Sequence, residues 1–155
     1  MLKRALLLLT LALPITAAAQ EGEVVRSGAT AFRLSTFATG LERPWGAALL
    51  PDGRLLVTER PGRLRLVGTD GAVSAPLSGA PPVVAERQGG LLDVALAPDF
   101  SETREIYLCQ SVMVPDGALT RLTRARLAAD ERGLEAVQPL LDATPSQRSG
   151  RNHFG

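Results

Sequence analysis

Between residues 54 and 67 the chain reads RLLVTERPGRLRLV, two short apolar segments on either side of Pro61-Gly62. In the second segment Arg63 and Arg65 alternate with Leu64 and Leu66, the period-two pattern of a strand with one face in a core and the other in water. Turn residues recur at Pro51-Asp52-Gly53, Asp70-Gly71, Pro98-Asp99 and Pro115-Asp116-Gly117. Asp-Gly supplies the positive φ that a tight hairpin needs. Short strands joined in this way predict an all-β chain with antiparallel pairing.

A repeat lies within the pattern. GAALLPDGRLLVTE (46–59) lines up with DVALAPDFSETREIYLC (93–109): an apolar run, Pro-Asp, a turn, then a second apolar strand. Pro51 and Pro98 are 47 residues apart, inside the span of about 40 to 50 residues of a four-stranded propeller blade. The first strand of each copy is apolar on both faces, as a strand packed between neighbouring sheets should be. A β-sandwich also strings short strands between turns, but a single recurring period favours β-propeller blades. Propellers close with about four to eight blades, and two alone would leave inner faces and edges uncovered. The pattern therefore predicts the N-terminal blades of a longer ring, incomplete in this chain. Ahead of the first copy, TAFRLSTFATG (30–40) has strand character and is a candidate ring-closing strand.

Composition narrows the setting. MLKRALLLLTLALPITAAAQ opens with Lys3 and Arg4, continues with an apolar run, and ends in small residues at Ala17-Ala18-Ala19. This is the layout of a secretory signal peptide, and the run is shorter than the roughly 20 residues a bilayer span needs. The expected organisation is a signal peptide at 1–19, an N-terminal segment at 20–39 and the propeller portion at 40–155. The mature protein is expected in the periplasm or secreted, with no stable membrane association. Of 17 basic residues, Lys3 and Arg4 leave with the signal peptide, so 15 face 16 acidic ones. A balance of −1 gives no basic footprint for nucleic acid. Every remaining cation is arginine, which excludes a lysine Schiff base from the mature chain. Cys109 is the only cysteine; it makes no intrachain disulfide or cysteine zinc site and is read as a small buried hydrophobe.

Few residues remain as candidates for chemistry. Gln88 precedes Gly89-Gly90 and the apolar run LLDVALA. Its amide offers a donor and an acceptor, and the glycines would let backbone approach a flat ligand closely; on spacing alone a plain surface-turn glutamine is the favoured reading. His153, in GRNHFG, is the only histidine, and a lone imidazole near a terminus is more often structural or solvated than catalytic. Trp45 in ERPWG is read as a buried anchor of the first blade rather than a sugar-stacking platform. Asp52 and Asp99 are read as turn formers, and Arg148 and Arg151 as solvated loop residues.

Taken in order, GLERPWGAALLPDGRLLVTERPGRLRLV (40–67), QGGLLDVALAPDF (88–100) and GRNHFG (150–155) resemble the soluble sugar dehydrogenases that depend on pyrroloquinoline quinone (PQQ), the glucose/sorbosone and aldose sugar dehydrogenases. The resemblance spans residues 40–155. It implies a six-bladed propeller with PQQ lying flat in a cleft at one end, held by polar side chains and calcium. It also implies that Gln88, Asn152 and His153 bind the cofactor and that His153 is the general base for an aldose oxidised at C1. Hydride would pass to the quinone, and electrons onward to an external acceptor. Asn152 stands where the family often has aspartate; it can orient the imidazole but brings no negative charge. No metal ligand falls among these motifs, and the family's calcium ligands are expected downstream. Two other functions fit a propeller: a cofactor-free module binding protein or glycan, and a lactonase hydrolysing sugar lactones with a divalent metal. By itself the 155-residue chain is expected to be inactive and poorly folded, so near-ultraviolet circular dichroism should show no cooperative thermal transition.

Overall fold

The computed structural model describes residues 22–147. Arg148, Arg151, Asn152 and His153, and the signal peptide expected at 1–19, lie outside them. Residues up to Thr36 form one unit and those from Phe37 onward another.

In the first unit, β1 (Glu23–Ser27) and β2 (Thr30–Leu34) pair antiparallel around Gly28-Ala29, with Ser27 opposite Thr30. Gly28 supplies the positive φ of 58°. Of the stretch expected to be a strand at 30–40, only Thr30–Leu34 is one.

The second unit holds two successive sheets. The first contains β3 (Pro44–Leu49), β4 (Leu55–Glu59) and β5 (Arg63–Val67) in that order. An irregular fourth segment runs beside β5: Ser74 N donates to Leu66 O at 2.8 Å and Leu77 N to Leu64 O at 2.9 Å. The second sheet contains β6 (Leu91–Leu96), β7 (Glu105–Val114), β8 (Gly117–Leu127) and β9 (Leu134–Asp142), each antiparallel to the next. These are two blades of a β-propeller.

The repeat extends to a structural irregularity. Pro44 pairs with Glu59 but Ala47 with Val57; likewise Leu91 pairs with Gln110 but Val94 with Leu108. Each inner strand thus carries the same bulge, at Trp45-Gly46 and at Leu92-Asp93. The second strands are offset by more than the first because α1 (Phe100–Thr103), a turn of helix absent from the first blade, follows Pro98-Asp99. This puts Gln110, not Cys109, in the place of Glu59. Asp52 and Asp99 act as turn formers: Asp52 Oδ1 accepts Arg54 N at 3.1 Å, and Asp99 O accepts Glu102 N at 2.9 Å.

The register sends Leu56, Thr58, Leu64 and Leu66 to the face of the first blade that meets the second. Leu91, Val94, Ile106, Leu108 and Leu127 answer from the other side, and the two sets form one core. Full burial of each such leucine or isoleucine contributes about 1.5 to 3 kcal/mol over exposure. The inner strands approach closely at Gly46, where an added Cβ would lie 2.9 Å from Asp93 Cα. Across this gap the buried Thr58 hydroxyl accepts Gly46 N at 2.9 Å and donates to Leu92 O. Glycine is required here because of the neighbouring backbone.

The outward faces differ from the sequence expectation. Inner strands apolar on both sides are buried on only one: Leu49 is 66% exposed, and Asp93 and Ala95 are exposed. On the second blade's outward face Leu141 is 63% exposed, and Cys109 is half-buried rather than enclosed. Burial pushes the Cys109 thiol up, with Asp93 adding to it, so it is not a poised thiolate.

At the end of the blades where the inner strands finish, a charged clamp joins the sheets. Arg54 donates bidentately to Glu131 at 2.7 and 2.8 Å and through Nε to Asp52 at 2.8 Å. Arg104 reaches Glu131 at 3.2 Å and caps Leu127 O at 3.0 Å. Arg54, opposed by burial and aided by Arg104, holds the Glu131 carboxyl below its ordinary value. A lowered carboxylate stabilises the fold above its unfolded pKa, and that contribution fades as pH falls through the folded value. Glu131→Gln in the full-length protein is expected to cost about 1 kcal/mol near neutrality. The difference in melting temperature from the parent should shrink as pH is lowered past about 4.3, the ordinary glutamate value, in calorimetry across a pH series.

Candidate functional site

In antiparallel blades the second strand ends where the first begins. β4 therefore delivers Glu59 and Arg60 to the rim from which β3 and β6 depart, the rim that also holds Trp45 and Gln88. Gln88 is exposed there, which fits a ligand-facing amide and a surface-turn glutamine alike. It lies in a tight turn closed by Gly89 N donating to Glu86 O at 2.7 Å. Arg87 in this turn has a φ of 51°, and Arg43, ahead of β3, has a φ of 50°. Non-glycine residues in the left-handed region carry strain, which gathers at functional sites when surrounding contacts hold it in place.

Those contacts are specific. The Ser111 hydroxyl accepts Gly90 N at 2.6 Å and donates to Val84 O at 2.6 Å, pinning both ends of the loop to β7. Arg60 ties it to the first blade. Its Nε donates to Gly89 O at 3.2 Å, one terminal nitrogen donates to Arg87 O, and Leu91 N donates back to Arg60 O at 3.0 Å. Its guanidinium also lies over the Trp45 ring, 5.7 Å from the centroid.

Two sequence expectations are corrected here. Trp45 is not a buried anchor; it is 49% exposed at the rim, because β3 begins at the open end and the indole packs against Arg60 rather than into the core. Gly89 and Gly90 are buried against protein instead of offering backbone to a ligand. A Cβ on Gly89 would meet Val84 O at 2.6 Å and Ser111 Oγ at 2.7 Å, and one on Gly90 would strike Arg60 O. Their role is to let the Gln88 turn sit down on its own blade.

Arg60 went unremarked in the sequence, although hairpin topology alone places the end of β4 beside the start of β3. Glu59 was also missed. Its carboxylate is fully buried, accepts Glu42 N, and pairs with Arg63 at 2.6 Å and Arg65 at 3.4 Å. Burial pushes this carboxyl up, but Arg63, the Glu42 amide and Arg65 together outweigh it, so it lies below the ordinary value. Glu59 is thus a fixed anion bracing the rim and not a proton carrier. Asn152 and His153 are outside the described residues, so the structure does not relate them to Gln88. Among the described residues no group of three or more His, Cys, Asp or Glu side chains could hold a metal ion.

Residues 41–155 match the family described as Glucose / Sorbosone dehydrogenase. The aldose sugar dehydrogenase YliI of Escherichia coli (strain K12) is 44% identical over 117 residues, covering 74% of this chain and 31% of the relative. A solved glucose dehydrogenase superposes with a TM-score of 0.74 at 44% identity, over 78% of this chain and 35% of that one. The PQQ-bound aldose sugar dehydrogenase of Streptomyces coelicolor superposes with a TM-score of 0.63 at 31% identity, over 72% and 34%. The chain thus spans about a third of the length of these relatives. Gly90, at a φ of 145°, is expected to tolerate no side chain: Gly90→Ala should cost about 1 to 3 kcal/mol, read as a lowered unfolding midpoint of the full-length protein in denaturant.

Proposed function

The chain belongs to the glucose/sorbosone dehydrogenase family, and on that premise we propose that the full-length protein oxidises aldose sugars at C1 with PQQ as cofactor. The observation that carries this reading is the exposed Gln88 amide, held in a strained turn at the head of an inner strand. It sits in a fold shared with a PQQ-bound aldose sugar dehydrogenase.

The rim suits a planar, polar, anionic group. Gln88 offers a donor and an acceptor in one plane, Trp45 a partly exposed apolar surface, and Arg60 a positive charge. Gln88 would hold the cofactor from the second blade. When bound, PQQ with its calcium supplies a carbonyl-type hydride acceptor; no described residue is assigned to the metal.

His153 is the proposed base. The C1–H bond of a sugar gives up hydride poorly until the anomeric hydroxyl loses its proton, and a neutral imidazole nitrogen, with a reference pKa of about 6.5, takes that proton near neutrality. Asn152 would orient the ring by hydrogen bond without stabilising the imidazolium by charge. The electrons then leave to an external acceptor. With cleavage after Ala19, the protein would work in the periplasm or outside the cell.

The full-length protein supplied with PQQ and calcium is expected to reduce a dye in the presence of aldoses. His153→Ala should lower turnover by about 10² to 10⁴, and the parent rate should fall below about pH 6.5 as the imidazole protonates. Absence of saturable PQQ binding by absorbance would overturn the reading, and lactone hydrolysis without PQQ would replace it.

A further inference from the structure

We propose that Arg60 is a positioning residue that presents Gln88 to the cofactor, a role resting on the assignment of Gln88 as a PQQ contact. Arg60 hydrogen-bonds the carbonyls of the residues immediately before and after Gln88, those of Arg87 and Gly89. A bracket on both sides of one residue fixes the plane from which its side chain departs. That plane is under strain, since Arg87 holds a positive φ, and a strained turn keeps its form only where its neighbours impose it.

The clamp arm is itself fixed at three points. Arg60 N donates to Arg43 O at 3.0 Å, Arg60 O accepts Leu91 N at 3.0 Å, and the guanidinium rests over Trp45. One residue of the first blade thus aligns the entrances to both inner strands. A planar fork is required: Nε and a terminal nitrogen engage separate carbonyls at once, which a lysine ammonium on a flexible stem does not reproduce. The partners Arg60 has among the described residues are carbonyls and an indole face. Its positive charge therefore remains at the rim beside the amide it positions.

Two measurements on the full-length protein test this. In cofactor-free protein, Arg60→Ala should speed hydrogen–deuterium exchange in the peptide covering residues 85–91, leaving β8 unchanged. In PQQ titrations followed by absorbance, Arg60→Ala should weaken binding about tenfold. Arg60→Lys should recover part of that loss and, as the milder change, carries both comparisons should the alanine variant not fold. In a Gln88→Ala background Arg60→Lys, which keeps the charge at the rim, should cost less than about twofold, because the residue the fork acts through is gone. Unchanged exchange in the 85–91 peptide overturns the clamp; effects of Arg60 and Gln88 that multiply in full overturn its action through Gln88. A parent protein that binds no PQQ instead sinks the cofactor assignment, and the exchange measurement still decides whether Arg60 holds the turn.

Discussion

The shared core of the two sheets depends on their inner strands coming backbone to backbone, and at Gly46 that approach leaves no room for a side chain. With no side chain there, Leu92 and Asp93 of the neighbouring strand come close enough for the Thr58 hydroxyl to bridge both strands. A methyl group would wedge the blades apart at the spot where both inner strands bulge. The leucines behind it would lose their partners across the interface, because close-packed apolar groups forfeit much of their attraction over a gap of a fraction of an ångström. The bulge, the glycine and the threonine act as one device, and the apolar interface depends on it.

What the sequence made legible was whatever repeats or alternates. Pro51-Asp52 and Pro98-Asp99 marked the blades because a turn needs particular residues whatever surrounds it. Leu64 and Leu66 were assigned to the core, and Arg63 and Arg65 to the opposite face, because a strand has period two. Burial at the rim was not legible. Trp45 read as core by its chemistry, yet it lies at the end of its sheet, where the ring is flanked by a guanidinium and water. The glycines after Gln88 were correctly singled out but for the wrong partner: the backbone that approaches them is the protein's own. Gln88 was recognised through family likeness, whereas the arginine that holds its turn depends on a contact across the blade boundary that no local pattern records.

Charge is deployed differently at the two ends of the blades. At the far end, Arg54 and Arg104 are balanced by Glu131 and Asp52, with Arg54 and Glu131 joined across the interface. At the rim, Glu59 is neutralised within its own blade by Arg63 and Arg65, while Arg60 is bound by carbonyls and an indole. The first arrangement joins sheets and leaves nothing over. The second leaves the Arg60 guanidinium at the rim without a carboxylate partner among the described residues, where a long-range attraction to anions survives.

The shared bulge has a bearing on how such a molecule changes over time. Because Trp45-Gly46 and Leu92-Asp93 occupy equivalent places, both blades deliver their incoming loops to the same level of the sheet. The helical turn Phe100–Thr103 was accommodated at the opposite end without disturbing that alignment. Insertions on one side and new contacts on the other can accumulate independently, so one ancestral module can be specialised at its mouth while its foundations drift.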